Sequence, residues 1–259
     1  MSRSIVLLFL VLLILPLFYR LYRMHRITTD TPLTHLGIIM DGNRRWAKKN
    51  KLEPSKGHKQ GAKTVERLIS YCLKQGIKTV SVYALSLENL KRPPHEVEEL
   101  CTLIVEETTK ITPQLVDQGV QVRFIGDKKM FPACAQKSIE QLERATASGN
   151  NLLLNILFCY GGKQEILAAV NALVADVRKG ILTEPINENI FKSYLWTTQL
   201  SDPDLIIRTG GTWRLSNFLT YQTTYSELYF TDKLWPDITA SDLDRALQDY
   251  YKRKRNFGA

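Results

Sequence analysis

The sequence predicts an α/β domain with a mainly parallel central sheet flanked by helices. Three observations carry that expectation. Strand-like and helix-like stretches alternate from His35 to Lys252, the order that builds parallel sheets covered by helices. Asn151 to Tyr160 is strongly apolar on both faces, as an interior strand of such a sheet must be. Three strand-like runs end in polar clusters: Asp41–Arg45, Ser86–Arg92 and Arg208–Ser216. A parallel sheet can bring such ends together at one edge, where open α/β sheets bind ligands.

The chain has 259 residues, 44% of them hydrophobic, enough for one sizeable core. Its net charge of +9 suits acidic ligands such as phosphorylated substrates or anionic lipid. Zinc-finger spacing and the aromatic signature of RNA-binding sheets are both missing, so no nucleic-acid partner is expected. The phosphate-loop pattern G-x-x-x-x-G-K-[ST] is also missing, which weighs against a nucleotide binder. Cys72, Cys101, Cys134 and Cys159 stand far apart without a C-x-x-C, so they read as reduced, mostly core residues of a cytosolic domain.

In chain order, Ile5 to Phe18 is almost wholly apolar and is followed by Arg20, Arg23, His25 and Arg26. No small-residue cleavage site follows, and the run is short for a full span. Residues 1–26 therefore read as an uncleaved membrane anchor, 27–34 as a linker, and 35–259 as the catalytic domain. On that reading the chain is membrane-associated, with its catalytic domain on the cytoplasmic side. Leu36 to Met40 is a strand, Asp41-Gly42-Asn43 a turn, and Arg44 opens a short helix. Lys51 to Lys56 reads as a polar loop. Val65, Leu68, Ile69, Cys72 and Leu73 form one apolar helix face, which Gly76 ends. Lys78 to Leu85 is a strand, and Pro93-Pro94 start a long helix to Gln118 that Pro113 kinks or divides. Strands over Val120–Ile125 and Asn151–Tyr160 bracket a helix from Pro132 to Ala147. Helices over 163–179 and 187–195, a strand from Leu205, a mixed aromatic stretch over 213–230 and a last helix over 241–252 complete the series.

The chemistry of the polar clusters is specific in type. Asp41 suits a hard cation such as Mg²⁺, which binds through one or two carboxylates plus substrate phosphates. Arg44 and Arg45 add forked donors for phosphate, and backbone N–H groups at the turn add more. Arg208, Arg214, Ser216 and Asn217 around Gly210-Gly211 make a second anion site. Taken singly, each cluster is an ordinary polar loop. Together, two anion sites beside one carboxylate suggest two phosphorylated substrates meeting.

The motifs H-x-x-I-I-M-D-G-N-R-R-W-A, G-H-x-x-G, S-x-E-N-x-x-R-P, I-R-T-G-G-x-x-R-x-S-N-F-L and Y-x-E-L-Y-F-T-D-x-L-W-P-D occur in that order over roughly His35 to Gly258. By them the chain resembles the cis-prenyltransferases of the undecaprenyl diphosphate synthase type. The resemblance implies a homodimeric fold with a hydrophobic product tunnel beside the sheet. It implies an isoprenyl transferase that uses Mg²⁺ to condense isopentenyl diphosphate onto an allylic, farnesyl-type diphosphate. The product would be a Z-polyprenyl diphosphate of the undecaprenyl lipid-carrier type, with a membrane surface as a further partner.

The resemblance also distributes roles. Asp41 and Glu227 would hold Mg²⁺. Gly42, Asn43, Arg44, Arg45 and His58 would cradle the allylic diphosphate. Arg208, Arg214, Leu215 and Ser216 would bind isopentenyl diphosphate. Ser86, Leu87, Glu88, Asn89 and Arg92 would lie between the two sites, while Trp46 and Leu90 would line the reacting carbons. The family gives the Asn a part in proton removal. A neutral amide has little proton affinity, so Asn89 fits better as an orienting residue, with a diphosphate oxygen as the acceptor. The family usually has Arg where Pro54 stands and an acidic residue where Thr212 stands.

Overall fold

Our computed structural model describes residues 32–91 and 93–255. All six strands of the described residues lie in one sheet, and every pairing is parallel. In chain order the strands are β1 (His35–Ile39), β2 (Thr79–Ser86), β3 (Val120–Ile125), β4 (Leu152–Tyr160), β5 (Leu205–Arg208) and β6 (Glu227–Phe230). Across the sheet they run β3-β4-β2-β1-β5-β6. The helices are α1 (Asn43–Lys49), α2 (Pro54–Gln75), α3 (Pro94–Asp117), α4 (Ala133–Ala145), α5 (Gly162–Arg178), α6 (Glu188–Ser193) and α7 (Ala240–Lys252).

The order reverses between β1 and its neighbours, since β2 pairs on one side and β5 on the other. The carboxyl ends of β1, β2 and β5 are thus adjacent, as a ligand-binding crevice in an open α/β sheet requires. Each of these strands is mostly buried. Leu36, Ile38, Val80, Val82, Leu205 and Ile207 join the main core under α2, α3 and α7, while Ile39, Leu157 and Ile206 pack with Phe218 in a second cluster on the other face. The apolar run of β4 is interior, as expected, lying between β3 and β2.

Two element boundaries differ from the sequence expectation. Pro54 begins α2 at its first turn, so the supposed 51–56 loop is partly helix and the glycines of G-H-x-x-G are helical. Pro tolerates that position because the first-turn N–H has no partner in a helix anyway. Pro113 lies inside α3 without dividing it.

Two further expectations are corrected. Cys101 on α3 and Cys134 on α4 form a disulfide, with Cα atoms 6.8 Å apart, whereas Cys72 and Cys159 are free and buried. The chain separation of 33 residues hid a contact that exists because α3 and α4 pack side by side. The membrane placement is also corrected. Among the described residues no helix is long and apolar enough to cross a membrane. The long helices α2 and α3 are amphipathic and carry charges on their outer faces. The apolar run of residues 5–18 lies outside the described residues.

His35 opens β1 fully buried. Its Nδ1 contacts the Ser201 carbonyl at 2.6 Å and its Nε2 the Ser81 hydroxyl at 2.8 Å. The carbonyl requires the proton on Nδ1, which leaves Nε2 as the acceptor. Burial opposes a second proton and holds the pKa down to about 4, although the Ser201 carbonyl and Asp204 pull the other way. The unfolded chain therefore binds this proton more readily than the folded one. The resulting stabilisation is complete above the ordinary histidine pKa of about 6.5 and is lost as pH falls from there towards 4. Denaturant unfolding measured between pH 7 and pH 5 is expected to show stability dropping by up to about 1.4 kcal/mol per pH unit. His35→Gln should flatten that slope, and an equal slope in the variant would assign it elsewhere.

Candidate active site

Asp41 follows β1 and is gripped from two sides. Arg208, the last residue of β5, donates from one terminal nitrogen to Asp41 Oδ2 at 3.1 Å. Arg45, on the first turns of α1, donates to Oδ1 at 3.0 Å. The Asp41 backbone is held as firmly: its carbonyl accepts from Thr209 Oγ1 at 2.7 Å and from Trp235 N at 3.0 Å. The other terminal nitrogen of Arg208 donates to the Arg214 carbonyl and, at 2.7 Å, to Ser216 Oγ. Arg214 Nε also reaches Ser216 Oγ, at 3.1 Å. The side chain of Arg208 is 5% exposed, whereas that of Arg45 is 53% exposed. Arg208 is thus a fixed donor and Arg45 an adjustable one. Gly210 permits this closeness. Its φ is +83°, and a Cβ there would sit 2.5 Å from an Arg45 nitrogen.

Below this polar edge lies an apolar cavity between the sheet and helices α2 and α3. Met40, Asn43 and His58 line its upper part, and Ile69, Leu100, Ile104 and Phe158 line more of its wall. Glu66 on α2 and Glu107 on α3 also border it, and both pair with Lys110, at 3.4 and 3.7 Å. The G-H-x-x-G glycines explain how α2 fits there. A Cβ on Gly57 would collide with the Asn43 carbonyl, and one on Gly61 would lie 2.5 Å from Asn43 Oδ1. Both glycines let α2 lie directly against Asn43, and His58 between them faces the cavity.

The third polar cluster follows β2 as a 3₁₀ turn over Leu87–Lys91. Ser86 Oγ accepts from Asn89 N at 3.2 Å, which pins the turn to the strand end. Glu88 accepts from the Asn217 amide at 2.8 Å. Desolvation works against the Glu88 charge, but its own backbone N–H, Asn217 and Ser86 outweigh it and hold the carboxyl below its ordinary pKa. Leu87 and Leu90 pack partly buried against the main core, and Leu215 against the second cluster. So Asp41, Gly42, Asn43, Arg45, Ser86, Arg208, Arg214 and Ser216 lie at or beside one edge of the sheet.

Comparisons with known proteins decide the family. The undecaprenyl diphosphate synthase family model matches residues 39–258. The chain belongs to this family. It is 44% identical over 225 residues to the isoprenyl transferase of Bacillus subtilis, covering 86% of each chain. It is 41% identical over 243 residues to the geranylgeranyl-diphosphate-specific tritrans,polycis-undecaprenyl-diphosphate synthase of Pyrococcus abyssi, covering 93% of this chain and 92% of the relative. In three dimensions it resembles lavandulyl diphosphate synthase from Lavandula x intermedia, solved with dimethylallyl diphosphate. The TM-score is 0.84 at 35% identity, over 88% of this chain and 98% of the other. The fold is therefore that of the cis-prenyltransferases, and the chain is an enzyme that transfers prenyl groups.

Not every residue expected at a prenyltransferase site is gathered there. Glu227 is the first residue of β6 and pairs in register with Leu205, whereas Asp41 lies beyond the opposite end of β1. Because the strands are parallel, about 10 Å of strand separates Glu227 from the edge where Asp41 stands. Glu227 instead accepts from Arg253 at 2.6 Å. The expected Asp41–Glu227 metal pair is therefore not formed within the chain. Trp46 donates its indole N–H to Asp237 at 2.7 Å, a packing contact under the site. Arg44 pairs with Glu96 at 3.3 Å, linking α1 to the start of α3. Arg92 lies outside the described residues.

Sequence reading missed Thr209, whose hydroxyl fixes the Asp41 carbonyl, and Asp232. Where the family usually has an acidic residue after the Gly turn, Thr212 stands here, but Asp232 approaches from the next strand end. A Cβ on Gly211 would lie 3.0 Å from its Oδ1. The motif Y-F-T-D was visible in the sequence, but only the pairing of β5 with β6 brings it to this edge.

The fork of Arg208 serves three acceptors at once, which an ammonium point charge cannot reproduce. Arg208→Lys is expected to weaken binding of inorganic diphosphate, read by titration calorimetry, by tenfold or more. Unchanged affinity would show that the fork is dispensable.

Proposed function

We propose that this cis-prenyltransferase condenses isopentenyl diphosphate with an allylic, farnesyl-type diphosphate and builds an undecaprenyl-type Z-polyprenyl diphosphate. The observation that carries this reading is the juxtaposition of the Asp41–Arg208 edge with the apolar cavity. A ligand that fits both has a charged head and a long hydrocarbon tail. The names of the relatives support the same substrate class.

The chemistry is an electrophilic alkylation. The allylic C–O bond breaks and diphosphate departs with both electrons. The terminal alkene carbon of isopentenyl diphosphate bonds to the allylic carbon, and one proton is lost to restore a double bond. Charge stabilisation at the leaving group is the main demand on the protein. Arg45 is placed to meet that charge, with Arg44 as a further donor once its exposed pair with Glu96 opens. Arg208, Arg214 and Ser216 hold the second diphosphate so that its alkene faces the cavity mouth. Asn89 orients it, and a diphosphate oxygen takes the proton.

Mg²⁺ fits the donor chemistry present: one carboxylate, Asp41, beside guanidinium groups and a hydroxyl that bind diphosphate oxygens. Among the described residues there is no group of three or more His, Cys, Asp or Glu side chains able to hold a metal alone. Asp41 would hold the ion, with diphosphate oxygens of the substrates as further ligands. When bound, the ion neutralises diphosphate as a Lewis acid.

A Mg²⁺-dependent assay with labelled isopentenyl diphosphate and farnesyl diphosphate, with mass analysis of the product, tests the reading. Transfer by the wild type and loss of at least a hundredfold in kcat for Asp41→Ala are expected, with the fold intact by circular dichroism. Substantial turnover in the variant would remove Asp41 from the metal role.

The same reading includes a homodimer. On and just beyond α5, Leu167, Val170, Val174, Val177 and Ile181 are between 42% and 68% exposed and recur at three- and four-residue steps. That spacing makes one apolar stripe suited to an isologous contact with a second copy. Light scattering should find a dimer for the wild type and a monomer for the double variant Leu167→Asp/Val174→Asp. A dimer that survives both charges would move the interface elsewhere.

A further inference from the structure

The sequence sets Asn217 in the second anion site, yet its polar atoms are taken up by five hydrogen bonds within the protein, a long one of 3.5 Å from Thr220 Oγ1 among them. Its backbone carbonyl accepts from Gly162 N at 2.8 Å, and its side-chain oxygen accepts from Lys163 N at 2.8 Å. These are first-turn N–H groups of α5, which have no partner within their own helix. Its side-chain nitrogen donates to Glu88 Oε1 at 2.8 Å and to Gln164 Oε1 at 2.9 Å. A single amide therefore caps a helix with one end and holds a carboxylate of the 3₁₀ turn with the other.

The local backbone is shaped around this side chain. Asn217 has φ +67°, a conformation that Asn tolerates better than most residues. Ser216 beside it has φ +50°. A Cβ on Gly161 would lie 2.6 Å from the Asn217 amide nitrogen, so the glycine leaves room for it. Among side chains of this length only an amide presents an acceptor to Lys163 and a donor to Glu88 at once. Asn217 directly follows Ser216, which Arg208 holds, and Glu88 directly precedes Asn89. The bond thus joins the Arg208–Ser216 loop to the turn that carries Asn89.

We propose that Asn217 is a positioning residue for prenyl transfer: through Glu88 it sets the 3₁₀ turn of Asn89 against the Arg208–Arg214–Ser216 loop. The proposal rests on the condensation reading above. It acts through a charge-assisted hydrogen bond, stronger than a neutral one. A purely structural role, capping α5, would make no reference to residue 88.

A four-protein cycle separates the two roles: wild type, Asn217→Asp, Glu88→Gln and the double variant. Asn217→Asp retains an acceptor for Lys163 N and sets a second carboxylate against Glu88. It is expected to lower kcat/KM for isopentenyl diphosphate by tenfold or more when residue 88 is Glu. When residue 88 is Gln, its amide can donate to the new Asp, and the same change should cost less than twofold. Equal cost in both backgrounds would overturn the proposal. Amide hydrogen–deuterium exchange over residues 86–91 in the same four proteins gives a readout independent of turnover. Faster exchange is expected in Asn217→Asp and recovery in the double variant, while unaltered exchange in Asn217→Asp would overturn the proposal. A wild type without transfer activity would instead refute the condensation reading, and the exchange cycle would still judge the Asn217–Glu88 link.

Discussion

The bond between Arg208 and Asp41 joins residues 167 positions apart, and the rest of the site is arranged around it. A nearly buried guanidinium is costly unless its charge and its donors are met. Asp41 supplies the charge, and Ser216 and the Arg214 carbonyl take the other nitrogen. One guanidinium nitrogen, Nε, has no hydrogen-bond partner among the described residues. The bonds of the other two offset the desolvation cost and fix a carboxylate and a guanidinium fork in one rigid frame. The sheet makes that possible: Ile39 and Arg208 are register partners on neighbouring strands, so the two groups are set by backbone pairing.

A second constraint is the meeting of opposite chemistries along α1 and α2. Arg45 and Asp41 need water or partners of opposite charge, whereas the cavity beneath is apolar. Asn43 stands at the seam with its side-chain oxygen buried and unpaired against α2. The glycines at 57 and 61 let the helix lie directly against it, beside the apolar cavity. Larger residues there would push α2 away from Asn43. Lys110, bridging Glu66 and Glu107, holds α2 and α3 together along the same cavity.

Some devices in the fold left no trace in the sequence. Glu165 sits fully buried in the first turn of α5, where it accepts from Tyr160, from the Thr197 backbone and hydroxyl, and from Gln222. Its place at the start of a helix, just after Gly161-Gly162, gives no sign of that burial. The disulfide was equally hidden, because 33 residues of chain separate cysteines that two packed helices bring together. Glu227 shows the reverse error. Family resemblance placed it beside Asp41, but strand polarity places it at the other edge of the sheet, where Arg253 neutralises it.

The sequence by itself determined the fold class, the motif order and the identity of the charged groups at the strand ends. It could do so because strand and helix periods, turn residues and residue chemistry are local properties that the chain carries wherever it folds. Only the tertiary structure decided which of those groups meet. Asp41 joins Arg208 and not Glu227, Trp46 turns to Asp237, and Asp232 comes to Gly211. Those outcomes depend on strand order and direction, which arise from the burial of both sheet faces at once and so belong to no single stretch of the chain.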